Sequence, residues 1–366
     1  MIWLVLLLPL CVPLIAVWKY KHSRGPVEYL AHIVVTVVIT CGVFYAGKYY
    51  PAFDTEIHNG YITNKQQVYN PRTEYYDCNC RMVPSGSGKN KTYSRSCSTC
   101  TRIIPEWDWT VYTTVGNFDI NRIDSDGRRE PPRWTKVQIG EPAALEKSYI
   151  NQIKGVRDSI FHYDKSLISR YEDKIPTYPR VKDYYRVNRV INLTSTVDTL
   201  KWNGYLNDRL KKLGAEKQVN IIVVVTDLDY GFFDALKYQW LGGKKNDVVM
   251  VIGNKDGKVS WFGSTSLADG YKNQTLHAML RMNAHNKEIN DCFIAEQIDI
   301  IEKEFVRTPM EEFEYLTSDS EPPGWVMLLA VVLGIAASIG VSLGIERFNN
   351  GRSFTTSQYI RRHTRF

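Results

Sequence analysis

Four of the seven cysteines stand in two close pairs, Cys78-Asn79-Cys80 and Cys97-Ser98-Thr99-Cys100, on either side of a Gly/Ser-rich stretch. Two such pairs can hold four thiolates tetrahedrally around one zinc, or they can close two disulfides. A bond inside Cys78-x-Cys80 would be strained, so the disulfide alternative means cross-pairing, in either of two ways. Both uses are structural, because a small β module poor in aliphatic residues needs a staple. Cys11 and Cys41 fall in apolar runs and Cys292 on a helical face; burial is expected for all three.

The second constellation is acidic. Asp227-Leu228-Asp229 follows directly on an Ile/Val run. Carboxylates at the C-terminal edge of a strand stand where ligands bind in α/β sheets, and two of them could hold calcium or magnesium or serve a phosphoryl transfer. The same residues suit an Asx-type turn and a cap for a helix beginning near Phe232. Asp-x-Asp after an apolar strand is similar to the haloacid-dehalogenase-like phosphatases, but their later elements, a Ser or Thr after the second strand, a Lys and a further acid pair, have no counterpart here. The chain contains no Gly-rich phosphate loop, HExxH or GxSxG, and its seven His residues are scattered. Lys244-Lys245-Asn246-Asp247 reads as a solvated charged turn entering a strand. Asn90, Asn192 and Asn273 each open an Asn-x-Thr glycosylation pattern.

These groups need elements to position them. From about Pro142 to Arg307 helical and strand patterns alternate. Trp202, Leu206, Leu210 and Leu213 share a helical face, with Gly214 as its stop. Val219 to Thr226 reads as a buried strand, and Phe232, Phe233, Leu236 and Trp240 as a short helix ended by Gly242-Gly243. Val248 to Ile252 and Val259 to Phe262 read as strands joined by a hairpin turn, Asn254-Lys255-Asp256-Gly257. Ile289, Phe293, Ile298, Ile301 and Phe305 line a longer helix. The preceding part, from Pro51 to about Glu141, is rich in Tyr, Trp, Thr, Pro and Gly and reads as β and loop. Its clearest strand is Trp107 to Val115, where apolar and polar residues alternate.

The order helix, "VNIIVVVTD", helix ending in "KYQW", Gly-Gly, "KKNDVVMVIG" and "GKVSWFG" resembles the TPM domain over about Lys154 to Phe305. The resemblance implies a central sheet flanked by helices, outside the membrane and tethered to it by a transmembrane helix. Members are connected with maintenance or assembly of membrane complexes, some with phosphatase activity or divalent-cation binding. Of the acidic positions used by metal-binding members only Asp227 and Asp229 find a match, and the Cys-containing segment lies outside the resemblance.

Three uncharged apolar runs, Ile2 to Trp18, Tyr29 to Ala46 and Trp325 to Ile345, are each long enough for a spanning helix, which needs roughly 17 to 25 residues. The first is the shortest and contains Pro9 and Pro13. Lys19, Lys21 and Arg24 follow it, and Arg347, Arg352, Arg361, Arg362 and Arg365 follow the third run; short basic segments stay cytoplasmic. Residues 1–50 and 324–366 hold nine Lys and Arg against two Asp and Glu, which leaves 37 of each in 51–323. The overall charge of +7 is therefore a topology signal and no argument for nucleic-acid binding. In the third run Ala330, Gly334 and Ser338 form one line of small residues and Ala336, Gly340 and Gly344 another, the pattern of a helix-packing face.

The sequence thus predicts a membrane protein with three transmembrane helices: two in residues 1–50, with a basic cytoplasmic loop at 19–28, and one at 324–345, followed by a cytoplasmic tail at 346–366. Between them it places an extracytoplasmic Cys-stapled β module at 51–141 and an α/β sandwich of TPM type at 142–323. The expected function is a membrane-anchored, non-enzymatic binding or assembly module acting on other membrane or envelope components. Its expected partners are the bilayer and another membrane protein or a second copy through the third span, with no nucleic acid. The alternative is a divalent-metal-dependent phosphatase using Asp227 and Asp229.

Overall fold

The computed structural model describes residues 2–19, 26–85, 92–154, 156, 165–318 and 321–363. In chain order these form α1 (Ile2–Lys19), α2 (Pro26–Tyr49), β1 (Phe53–Tyr69), β2 (Arg72–Ser85), β3 (Thr92–Ile104), β4 (Trp107–Thr113) and β5 (Gly116–Ile120). There follow α3 (Pro132–Thr135), β6 (Pro142–Ile150), α4 (Lys165–Ser169), β7 (Val181–Lys182), β8 (Arg186–Val187), β9 (Val190–Asn192), α5 (Trp202–Glu216) and β10 (Asn220–Thr226). The chain ends with α6 (Gly231–Gln239), β11 (Asp247–Lys255), β12 (Lys258–Ser266), α7 (Leu267–Gly270), α8 (Gln274–Ala284), α9 (Asp291–Glu304) and α10 (Gly324–His363). Two compact units result: Met1–Thr55, Ser148–Ser166 and Thr308–Phe366 make one, Glu56–Lys147 and Leu167–Arg307 the other.

In the first unit α1, α2 and α10 pack together around Val5, Phe44 and Ala330. Two stretches among the described residues are long and apolar enough to cross a membrane, Leu30–Ala52 and Gly324–Val341. The apolar stretch of α1, Ile2–Val12, is shorter. At 1.5 Å per residue eleven residues reach roughly 16 Å, about half of a bilayer core. The expectation of three spans is corrected accordingly to two candidate spans and a short apolar helix beside them. Lys21 and Arg24 of the basic loop lie outside the described residues.

The second unit carries two four-stranded sheets of different character, besides the two-stranded pairs β2–β3 and β7–β8. In the first, β5, β4, β1 and β6 lie side by side, with β1–β4 and β4–β5 antiparallel. Its core gathers Ile62, Trp109, Val111, Ile120, Trp134 and Tyr185, with the Trp109 and Trp134 rings 5.0 Å apart edge to face. The alternation read in Trp107 to Val115 is the pleat of β4, with Trp109, Val111 and Thr113 turned inward. Because β6 joins this sheet, the sequence division between a β module ending at 141 and a separate sandwich beginning at 142 runs through one sheet. The fold is corrected to a mixed α/β structure with several sheets and two disulfides.

The second sheet has the order β12-β11-β10-β9, with β9, β10 and β11 parallel and β12 antiparallel. A parallel strand covered on both faces reads as continuous apolar sequence, and β10 is buried throughout. Ile221, Val223 and Val225 meet α5, α8 and α9 on one side; Ile222 and Val224 meet α6 on the other. The β11–β12 hairpin turns at Asp256 and Gly257, both with positive φ, as its Asn-Lys-Asp-Gly sequence favours.

Gly214 is not the helix stop that its position suggested. It lies inside α5, and a Cβ there would collide with the backbone carbonyl of Asn59 on β1. Helix propensity alone predicts that Gly214→Ala stabilises by about 1 kcal/mol. Overpacking against a backbone atom reverses the sign, and a loss of about 1–3 kcal/mol is expected. Urea unfolding of the solubilised protein, followed by Trp fluorescence, reads the sign directly.

Candidate functional site

Beyond the Asn70–Glu106 backbone bond that closes the β1–β4 ladder, β2 and β3 continue alone as a two-stranded antiparallel ribbon. A lone hairpin is marginal in water because it has no second layer to bury its side chains. Here it is stapled twice: Cys78 is bonded to Cys100 and Cys80 to Cys97, one of the two cross-pairings left open by the sequence. A bulge between Cys78 and Arg81, with Asn79 at φ 48°, takes up the odd residue of Cys-x-Cys. The sulfur atoms that a zinc site would need as thiolates are joined to each other. Among the described residues no group of three His, Cys, Asp or Glu is placed to hold a metal.

The ribbon leaves large side chains in solvent. Tyr75 and Ile103 are both 70% exposed, Tyr93 61% and Met82 60%. Its base is fixed by charge: Arg72 and Arg122 both pair with Glu106, and Arg122 also with Asp108. The hydrogen bonds from Arg122 and Arg72 hold the Glu106 carboxyl below its usual range.

The acid pair is tied to two different neighbours. Asp227 Oδ1 accepts a hydrogen bond from Asn254 Nδ2 at 2.6 Å. Asp229 Oδ1 accepts from the Tyr171 hydroxyl at 2.6 Å and from the Gly231 N–H at 3.0 Å, while Arg170 reaches Oδ2 at 3.1 Å. The Tyr171 bond, with Gly231 and Arg170 behind it, holds the Asp229 carboxyl below the ordinary value. The bond to Gly231 makes an Asx-type turn leading into α6.

A polar network that the sequence reading missed lies beneath a cleft of about 620 Å³ lined by Glu141, Lys182, Arg186, Asn203 and Asn207. Arg189, 1% exposed, donates to the side-chain oxygens of Asn59, Asn207 and Asn220. Asn220 passes a bond to Asp247 at 2.7 Å, and Asp247 also accepts from the Tyr178 hydroxyl at 2.7 Å and the Lys244 N–H at 2.6 Å. Burial pulls the Arg189 guanidinium down to about 10 and pushes the Asp247 carboxyl up. Asn246 and Asp247 are thus fully buried, where their neighbours Lys244 and Lys245 had suggested a solvated turn. The Asn246 amide bonds the carbonyls of Ile57 and Gln218. The available signal was Asn and Asp at the edges of apolar strands.

Within the first unit, Gly334 faces Thr40 and Pro9, and Ser338 Oγ lies 3.1 Å from His32 Nδ1. This line of small residues packs on the chain's own helices. Gly340 and Gly344 are exposed. His32, Thr36 and Thr40, four residues apart on α2, are all buried. Cys11 and Cys292 are exposed and Cys41 half-buried, so the expected burial of these thiols does not hold. Asn273 is buried and bonds both the N–H and the carbonyl of Val306, which closes it to a glycan; Asn90 lies outside the described residues. Compared with known proteins, the chain matches no protein family, no curated protein and no solved structure.

Proposed function

We propose that the chain is a membrane-anchored binding or assembly module, without catalytic chemistry of its own, that acts on other membrane or envelope components through the β2–β3 arm. The observation that carries this reading is the arm itself: two disulfides hold apolar and aromatic side chains in solvent on a ribbon that shields no core. Tyr side chains on a stapled backbone bind partners at low entropic cost, because little freedom is left to lose, and the flexible Met side chain adapts to an irregular surface. The resemblance of about Lys154 to Phe305 to TPM domains points the same way. So does the engagement of Asp227 and Asp229 with separate neighbours.

The orientation that goes with this function puts the segment between the two candidate spans outside the cytoplasm, with the basic loop and tail inside. Disulfides persist in oxidising compartments, and the basic residues flank both spans on the same side. Exposed Cys292 is a built-in reporter. A membrane-impermeant maleimide should label intact cells carrying the protein and spare those carrying Cys292→Ser; no labelling until the cells are lysed would invert the orientation. A photo-crosslinking residue at position 93 should then capture a partner in intact membranes. Phosphate-ester hydrolysis abolished by Asp227→Asn in a folded protein would overturn the non-enzymatic reading.

A further inference from the structure

Charge is strongly segregated in the segment between the two candidate spans. The arm, residues 72–104, has six Lys and Arg against two Asp and Glu. Residues 308–323, which lead into α10, have five Asp and Glu and no Lys or Arg. The rest of 51–323 is nearly balanced, with 31 basic and 30 acidic residues. Neutrality of the whole therefore hides a basic arm and an acidic collar.

The arm's acids do not cancel its basic end. Glu74 is paired with Arg102, and beyond Asp77 no acid occurs until the ribbon has returned past Thr99. Register pairs Met82 with Arg95 and Pro84 with Tyr93, which sets an apolar and cationic group side by side on one face. Arg81 lies on the other face, opposite Ser96. Neither Arg81 nor Arg95 has an ion-pair partner among the described residues, and in the collar Glu311 and Glu314 are exposed and equally without one. Tyr315 beside them is also exposed.

We propose that the partner of the arm is a second copy of this chain, the arm of each copy docking on the acidic segment 308–318 of the other. This deepens the assembly reading above and rests on it. In a reciprocal exchange each copy offers the same two surfaces, an arm of net charge +4 and a segment of net charge −3 from Glu311, Glu312 and Glu314, so the opposite charges nearly cancel across a two-fold pair. Fourteen residues of β2 extend roughly 45 Å at 3.3 Å per residue. One face of a ribbon that long covers on the order of 450 Å²; two arms and the surfaces they cover then approach the 1,200–2,000 Å² of a stable interface.

The test uses full-length protein with two different tags, co-expressed and solubilised in mild detergent. Wild-type copies should co-purify across tags, with a light-scattering mass of two chains, and this should weaken as salt is raised. Arg81→Glu/Arg95→Glu should reduce the recovery of the other tag roughly tenfold, and so should Glu311→Lys/Glu314→Lys. Mixing these two variants should restore it, because both reversed and both native surface pairs are then complementary. Failure of the mixture to recover association overturns the inference, as does a wild-type monomer or an arm variant that still dimerises. A monomer that still crosslinks a different envelope protein from position 93 removes the second copy and leaves the assembly reading in place. A monomer that crosslinks nothing removes both. Arm variants that alter only binding to vesicles containing anionic lipid also exclude the second copy.

Discussion

Replacing Glu56 by Gln is expected to destabilise the α/β unit by about 3 kcal/mol, since removing one partner of a buried ion pair leaves the other charge uncompensated. Glu56 is the first residue of this unit and Arg307 the last. Arg307 Nη2 reaches both Glu56 oxygens, at 2.8 and 3.0 Å, and His58 Nε2 lies 2.8 Å from one of them. The pair therefore holds together the two points at which the chain enters and leaves the unit. Burial raises the Glu56 carboxyl, but the bonds from His58 and Arg307 outweigh it, and the net shift is downward. A carboxyl whose folded value is depressed contributes stability that is full above its unfolded value of 4.5 and is lost as pH falls through the folded one. Chemical unfolding of Glu56→Gln, Arg307→Gln and the double variant measures the coupling; a double variant whose loss equals the sum of the two single losses would show that the pair contributes nothing.

Lowering the pH from 7 to 4 should separately remove up to about 3 kcal/mol through His277 alone. Its ring lies between two hydroxyls, Ser264 Oγ 2.8 Å from Nδ1 and Ser266 Oγ 2.9 Å from Nε2. Gly270 comes so close to this ring that a Cβ there would strike it. Burial drives the imidazole from 6.5 down to about 4, with Asp269 opposing the shift and Arg281 adding to it. The unfolded chain takes up a proton near 6.5 while the folded chain does not. Stability from the neutral ring is thus full above pH 6.5 and declines until the folded ring also protonates near 4. His277→Gln keeps a polar group between the serines and should flatten stability between pH 4 and 6.5. An unchanged slope in that window would assign the pH dependence to other groups.

The parts of the fold that were legible in the sequence are those set by short-range periodicity. The helical spacing of Trp202, Leu206, Leu210 and Leu213, the Ile/Val run of β10 and the turn chemistry of Asn254 to Gly257 each act within a few residues of themselves. The third apolar run behaved likewise. Residues whose role depends on a distant strand were misread. Gly214 looked like a stop because its close approach to Asn59 joins positions 155 residues apart in the numbering, and α8 was not recognised at all.

By itself the sequence determined that the chain has apolar stretches at both ends, that its four clustered cysteines are close enough to staple something, and that its centre is a sheet covered on both sides. Local composition is sufficient for each, because hydropathy, loop length and strand burial are properties of contiguous residues. Tertiary structure decided which cysteines pair, because the antiparallel pairing of β2 and β3, with its bulge between Cys78 and Arg81, brings Cys78 within bonding reach of Cys100 and Cys80 within reach of Cys97. It also decided that Asn246 and Asp247 are buried and that Arg189 is surrounded by amides, since a polar residue can be buried only where distant chain supplies its hydrogen bonds. No spacing along the chain announces where those partners will come from.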